Sequence, residues 1–127
     1  MPLTTAESMR RIERALSTIR VPAVPGEYDI HAMIADALED DGIEFRHEAP
    51  IAPRCRIDFL ADGVGIEVKK GKPARSAVLK QVTRYLDSDQ LQALILVSEK
   101  EIRLPAQISG KMIKTLSLSR FWGVALP

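Results

Sequence analysis

The sequence predicts an α/β domain built on a mixed sheet. Three observations predict it. Residues 27–41 and 75–86 carry apolar side chains at helical spacing; three short strand-like segments lie between them; and a nearly continuous apolar run, Leu91 to Val97, follows the second of these helices. Helix, three strands, helix, strand, in that order, returns the last strand to the sheet through a helical crossover. At 127 residues the chain is sized for one domain around one core, so one functional site is expected.

A helix comes before this unit. Met9, Ile12, Leu16 and Ile19 fall on one stripe with arginines on the other side, which predicts a helix over Thr5 to Ile19 capped by Thr4 or Thr5. Val21-Pro22-Ala23-Val24-Pro25-Gly26 cannot continue it and reads as a linker, so residues 4–20 form an accessory helix ahead of a core at 27–97. From Glu27 the stripe Ile30, Met33, Ile34, Ala37 and Leu38 predicts the second helix, ending at Asp41-Gly42 where glycine takes the left-handed C-terminal position. Ile43–Glu48, Arg54–Leu60 and Val64–Lys69 read as antiparallel strands, separated by Pro50, Pro53 and Asp62-Gly63. Val78, Leu79, Val82 and Leu86 mark one face of a helix over Arg75 to Leu86, and Leu91 to Val97 fits a strand covered on both faces. In residues 98–127, a turn at Ile108 to Lys111 precedes a strand over Met112 to Leu118, and Phe121 to Leu126 reads as one more, at the edge.

Composition excludes several classes. Hydrophobic residues at 46% and charged residues at 28% are ordinary for a globular protein, and no run approaches a membrane span. Arg10, Arg11, Glu13 and Arg14 stand where a secretory leader needs an apolar segment, so no signal peptide is expected. The single Cys55 rules out an internal disulfide and a cysteine-based zinc cluster, and a cytoplasmic location follows as the expectation. The formal charge is only +1, yet Lys69, Lys70, Lys72, Arg75, Lys80 and Arg84 follow one another with no acid between Val68 and Leu86.

The chemistry concentrates in residues 54–69. Asp62-Gly63 favours a two-residue type I′ hairpin, which would pair Ala61 with Val64, Leu60 with Gly65, Phe59 with Ile66 and Asp58 with Glu67. Opposed carboxylates on one face repel, and a hard divalent cation would offset the repulsion. Alternation sets Lys69 on the same face as Glu67, with Val64, Ile66 and Val68 turned to the core. Two acids and one base suit metal-assisted hydrolysis of a phosphodiester. The same residues also fit a solvated sheet face on which Lys69 or Arg56 neutralises the acids.

Asp58 followed by Glu67-Val68-Lys69 on the next strand resembles the D…(D/E)-X-K signature of the PD-(D/E)XK nuclease superfamily, whose core has the same helix and strand order. Gln81-Val82-Thr83-Arg84-Tyr85 is similar to the Q-x-x-x-Y motif of its RecB-like branch. The likeness spans residues 27 to 97; Ile57 stands where the family name has proline. It implies a restriction-endonuclease-like αβββαβ core with a mixed central sheet flanked by helices. It also implies Mg²⁺ or Mn²⁺ held by Asp58, Glu67 and the Val68 carbonyl, with Lys69 positioning or activating the attacking water. The acid that this family often draws from its first core helix would be Glu27, a residue that equally suits a first helical turn.

Gln81 and Tyr85 share a helix face, where they reach nucleic acid, brace Lys69, or form the polar margin of a packed helix. Lys72, Arg75, Lys80 and Arg84 would contact phosphates. Glu48 reads as a surface residue more readily than as a further ligand; His31 and His47 show no ligand or triad pattern, and His31 reads as helix surface. Phe121 and Trp122 read as packing residues. The expected activity is therefore a metal-dependent nuclease acting on nucleic acid, DNA above all, without membrane attachment. The alternative is a module of the same fold that binds nucleic acid without cleaving it. Pairing through the amphipathic N-terminal helix makes a homodimer the expected assembly.

Overall fold

The computed structural model describes residues 2–20 and 29–118. Helix α1 (Thr5–Leu16) opens with a capping box in which the Thr4 hydroxyl and the Glu7 carboxylate each accept the other's backbone N–H. Helix α2 (Ile30–Asp40) starts at Ile30 with Asp29 as its cap. That is later than the apolar stripe suggests, because the Asp29 side chain accepts from the Ala32 N–H and fixes the first turn there. Glu27 therefore precedes the helix and lies outside the described residues, as does the segment Phe121 to Leu126. At the other end Gly42 adopts φ +70°, Gly42 N–H donates to Glu39 and Ile43 N–H donates to Leu38, which is a Schellman closure.

The sheet runs β1 (Arg46–Ala52), β2 (Cys55–Ala61), β3 (Val64–Lys69), β4 (Ala93–Ser98), β6 (Lys111–Ser117) and β5 (Gln107–Ile108) in spatial order. β1, β2 and β3 form an antiparallel meander; β4 lies parallel to β3 after the crossover helix α3 (Arg75–Leu86), and β6 lies parallel to β4. The mixed α/β sheet is thus as the sequence implies. β1 begins later than expected and runs through Pro50. Its place at the sheet edge explains this, since a missing N–H there costs no ladder bond on the outer side. Asp62 (φ 51°) and Gly63 (φ 77°) make the expected left-handed two-residue turn, and Ser109 and Gly110 repeat the device between β5 and β6.

Two apolar layers sandwich the sheet. On one face α1 and α2 cover Phe59, Ala61, Val64, Ile66, Ala93, Ile95 and Val97. On the other, α3 covers Cys55, Ile57, Leu94 and Leu96. A fully buried side chain such as Phe59 or Leu94 contributes about 2–3 kcal/mol. Met9, Ile12, Ala15 and Leu16 of α1 are consumed in the first layer. The apolar face on which a second copy was expected to dock is therefore filled by the chain's own core. Among the described residues no helix is long and apolar enough to cross a membrane.

Candidate active site

Alternation along β3 holds as the sequence implies. Val64, Ile66 and the half-buried Val68 face α1 and α2, which leaves Glu67 and Lys69 on the α3 side. β1 and β2 behave differently. Phe59 and Ala61 belong to the α1/α2 layer, whereas Ile57 and Cys55 belong to the α3 layer. Residues 57 and 59 should share a face, so β2 turns over at Asp58. β1 turns over opposite it: His47 stacks on Phe59, while Ala49 and Ile51 enter the α3 layer, and the intervening Glu48 has φ 51°.

This double switch corrects the register expected for the two acids. The β2–β3 ladder contains Ala61↔Val64, Leu60↔Gly65 and Phe59↔Ile66, then stops, and Asp58 does not pair with Glu67. Past that point the carboxylates replace the ladder. Val68 N–H donates to Asp58 Oδ2 at 2.8 Å, and Asp58 N–H donates to Glu67 Oε1 at 3.3 Å. The two acids are brought together, but each is held by the other strand's backbone rather than by facing its counterpart.

Glu67 is 4% exposed and is the only buried charged residue among those described. The Tyr85 hydroxyl donates to its Oε2 at 3.0 Å, and Lys69 Nζ lies 3.4 Å from the same oxygen. Burial, then repulsion from Asp58, pushes its carboxyl up to about 7, against the opposing pull of Lys69, Tyr85 and the Asp58 N–H. Tyr85 is itself pushed well above the ordinary phenol range, first by burial and then by the Glu67 charge. Gln81 Nε2 donates to the Tyr85 oxygen at 2.7 Å, so the Q-x-x-x-Y pair forms a chain that ends on Glu67. Tyr85 is buried and its hydroxyl points to the acid, not outward. Lys72, Arg75, Lys80 and Arg84 are exposed, with Arg75 bonded to the Arg103 carbonyl and Arg84 to the Arg54 carbonyl.

The group that α2 brings to the acids, among the described residues, is His31. Its Nε2 lies 3.8 Å from Asp58 Oδ2, its Nδ1 lies 2.8 Å from His47 Nε2, and both rings pack on Phe59. His31 is therefore half-buried in the site rather than on the helix surface. Its only signal in the sequence is a position flanking the Ile30, Ile34 and Leu38 stripe; nothing local says that its ring meets His47. Glu48 is exposed, as expected.

Among the described residues no three His, Cys, Asp or Glu side chains form a group that could hold a metal ion. Among the described residues the acids gathered at this point are Asp58 and Glu67. Neither family models nor curated proteins nor solved structures match this chain.

Proposed function

We propose that the chain is a metal-dependent phosphodiesterase acting on nucleic acid. The observation that carries this reading is the Glu67 environment: a carboxylate 4% exposed, repelled by Asp58 yet fixed by Lys69 and Tyr85. A charged carboxylate there is costly, and either a proton or a bound cation offsets the cost. The donors fit Mg²⁺ or Mn²⁺, hard ions that take one or two carboxylates and leave their other positions to water and phosphate. Asp58, Glu67 and the Val68 carbonyl would hold the ion, which when bound lowers the pKa of its water and polarises the phosphoryl oxygen. Lys69 orients the attacking water and steadies negative charge on the phosphate. Tyr85 and Gln81 keep Glu67 aimed, and His31 supports Asp58 from α2. Lys72, Arg75, Lys80 and Arg84 supply phosphate contacts that give affinity without reading sequence.

Within that class, the nearest description is a PD-(D/E)XK nuclease of the RecB-like kind. Asp58 on β2, Glu67-Val68-Lys69 on β3, Gln81 and Tyr85 on α3, and the order α2-β1-β2-β3-α3-β4 support a restriction-endonuclease-like core. DNA is the substrate favoured. Wild type and Lys69→Ala are incubated with labelled single-stranded, duplex and branched DNA in Mg²⁺, Mn²⁺ or EDTA. The reading expects cleavage that EDTA abolishes and that Lys69→Ala reduces by on the order of 10³-fold. Cleavage that survives either treatment contradicts it; tight, salt-sensitive binding without cleavage favours a non-cleaving module.

A further inference from the structure

Both strands that shape the site change face at one level. On β1 the change occurs at Glu48, between His47 on the α2 side and Ala49 on the α3 side; on β2 it occurs at Asp58, between Phe59 and Ile57. The flanking pairs His47↔Phe59 and Ala49↔Ile57 stay in register, so the two strands turn over together. Only one of the two residues at that level, Glu48, has a left-handed backbone, with φ 51°. A single left-handed residue breaks the period-two alternation of a strand and re-aims the side chains on either side of it.

Three consequences converge on the site. His47 swings onto Phe59 and meets His31, whose other nitrogen lies 3.8 Å from Asp58. Ile57 swings to the α3 side, over Gly65, where an added Cβ would lie 2.4 Å from Ile57 Cδ1. Asp58, caught between the two faces, reaches the Val68 N–H across the gap that opens between β2 and β3. With regular alternation Asp58 would share the Glu67 face, and neither the Val68 bond nor the approach to His31 would form.

We propose that Glu48 is a positioning residue of this site through its backbone: its left-handed conformation sets the strand switch that aims Asp58 and His47, and its carboxylate takes no part. The metal-binding half of the test rests on the function proposed above; the geometric half does not. Glu48→Gly and Glu48→Asn remove the carboxylate and accept positive φ more readily than glutamate, Glu48→Ala removes it at the same backbone cost as glutamate, and the β-branched Glu48→Val opposes positive φ most. Nuclear Overhauser contacts among the His31, His47 and Phe59 rings are measured in each variant, together with Mn²⁺ affinity by calorimetry. Glu48→Gly and Glu48→Asn should keep the ring contacts and the wild-type affinity, while Glu48→Val loses the contacts and binds Mn²⁺ about tenfold more weakly. Should Glu48→Val not fold, retention of the contacts in the Gly, Asn and Ala variants, which lack the carboxylate but keep access to the left-handed backbone, carries the same test. Loss of the contacts in Glu48→Gly, Glu48→Asn or Glu48→Ala, or their full retention in folded Glu48→Val, overturns the proposal. Wild type that fails to bind Mn²⁺ overturns the metal reading alone, and the ring contacts still decide the role of Glu48.

Discussion

At its closed end the β2–β3 hairpin is regular: Asp62 and Gly63 turn the chain, three successive residue pairs follow, and backbone bonds to backbone. At its open end the ladder is gone, and the carboxylates of Asp58 and Glu67 take backbone N–H groups that a neighbouring strand would otherwise satisfy. The closed end borders a groove of about 710 Å³, lined by residues that include Arg11, Phe45, Leu60 and Asp62. The open end holds polar groups that constrain one another. Regular backbone pairing and clustered carboxylates thus lie at opposite ends of one hairpin, so substitutions at the two ends should fail in different ways.

The largest effect is expected at the open end. Asp58→Asn keeps an oxygen for the Val68 N–H but removes a charge, so metal-dependent turnover should fall by on the order of 10³-fold while the metal-free protein becomes more stable by about 1 kcal/mol. Turnover assays and urea melts read the two halves separately; a variant that loses stability as well as activity breaks the contrast.

Next comes pH. Glu67 titrates near 7 when folded against an ordinary value of 4.5, so between these limits the folded chain holds the extra proton. Metal-free stability from this group is therefore full below about 4.5, declines as the pH rises to about 7 and is level above it, a loss on the order of 3 kcal/mol. Glu67→Gln should flatten the slope in denaturant titrations across that window; an unchanged slope assigns it elsewhere.

Gly65 lies between the two ends. A Cβ there would stand 2.4 Å from Ile57 Cδ1 and 2.7 Å from Leu91 Cδ2, so Gly65→Ala should cost about 1–3 kcal/mol in the denaturation midpoint. The smallest change belongs to the closed end. Gly63→Ala, at φ 77°, should cost about 1 kcal/mol and leave turnover per folded molecule unchanged. Reduced turnover in Gly63→Ala would mean that the two ends are coupled.

The sequence made the regular parts legible because they depend on local rules. The capping residues Thr4 and Gly42, the Asp62-Gly63 turn, the stripe of α3 and the alternation of β3 all act within a few residues. Spacing on the hairpin made the proximity of Asp58, Glu67 and Lys69 legible, but not the way the two acids are held. The switch was not, since Glu48 carries no glycine or asparagine to announce a left-handed backbone, and its consequence appears on another strand. The His31–His47 contact joins residues 16 apart through the ring of Phe59, which no periodicity encodes. Helix α2 starts at Ile30 because a cap decides its start, whereas the apolar stripe alone had suggested Glu27.

On the proposed reading, a divalent ion neutralises the Asp58 and Glu67 pair. Calorimetry of Mn²⁺ binding at pH 7, in two buffers of different ionisation enthalpy, tests it most directly. Saturable binding accompanied by proton release is expected, because the raised Glu67 carboxyl must give up its proton to take an ion, with both signals lost in Asp58→Asn. An absence of binding, or binding without proton release that Asp58→Asn leaves intact, would contradict it.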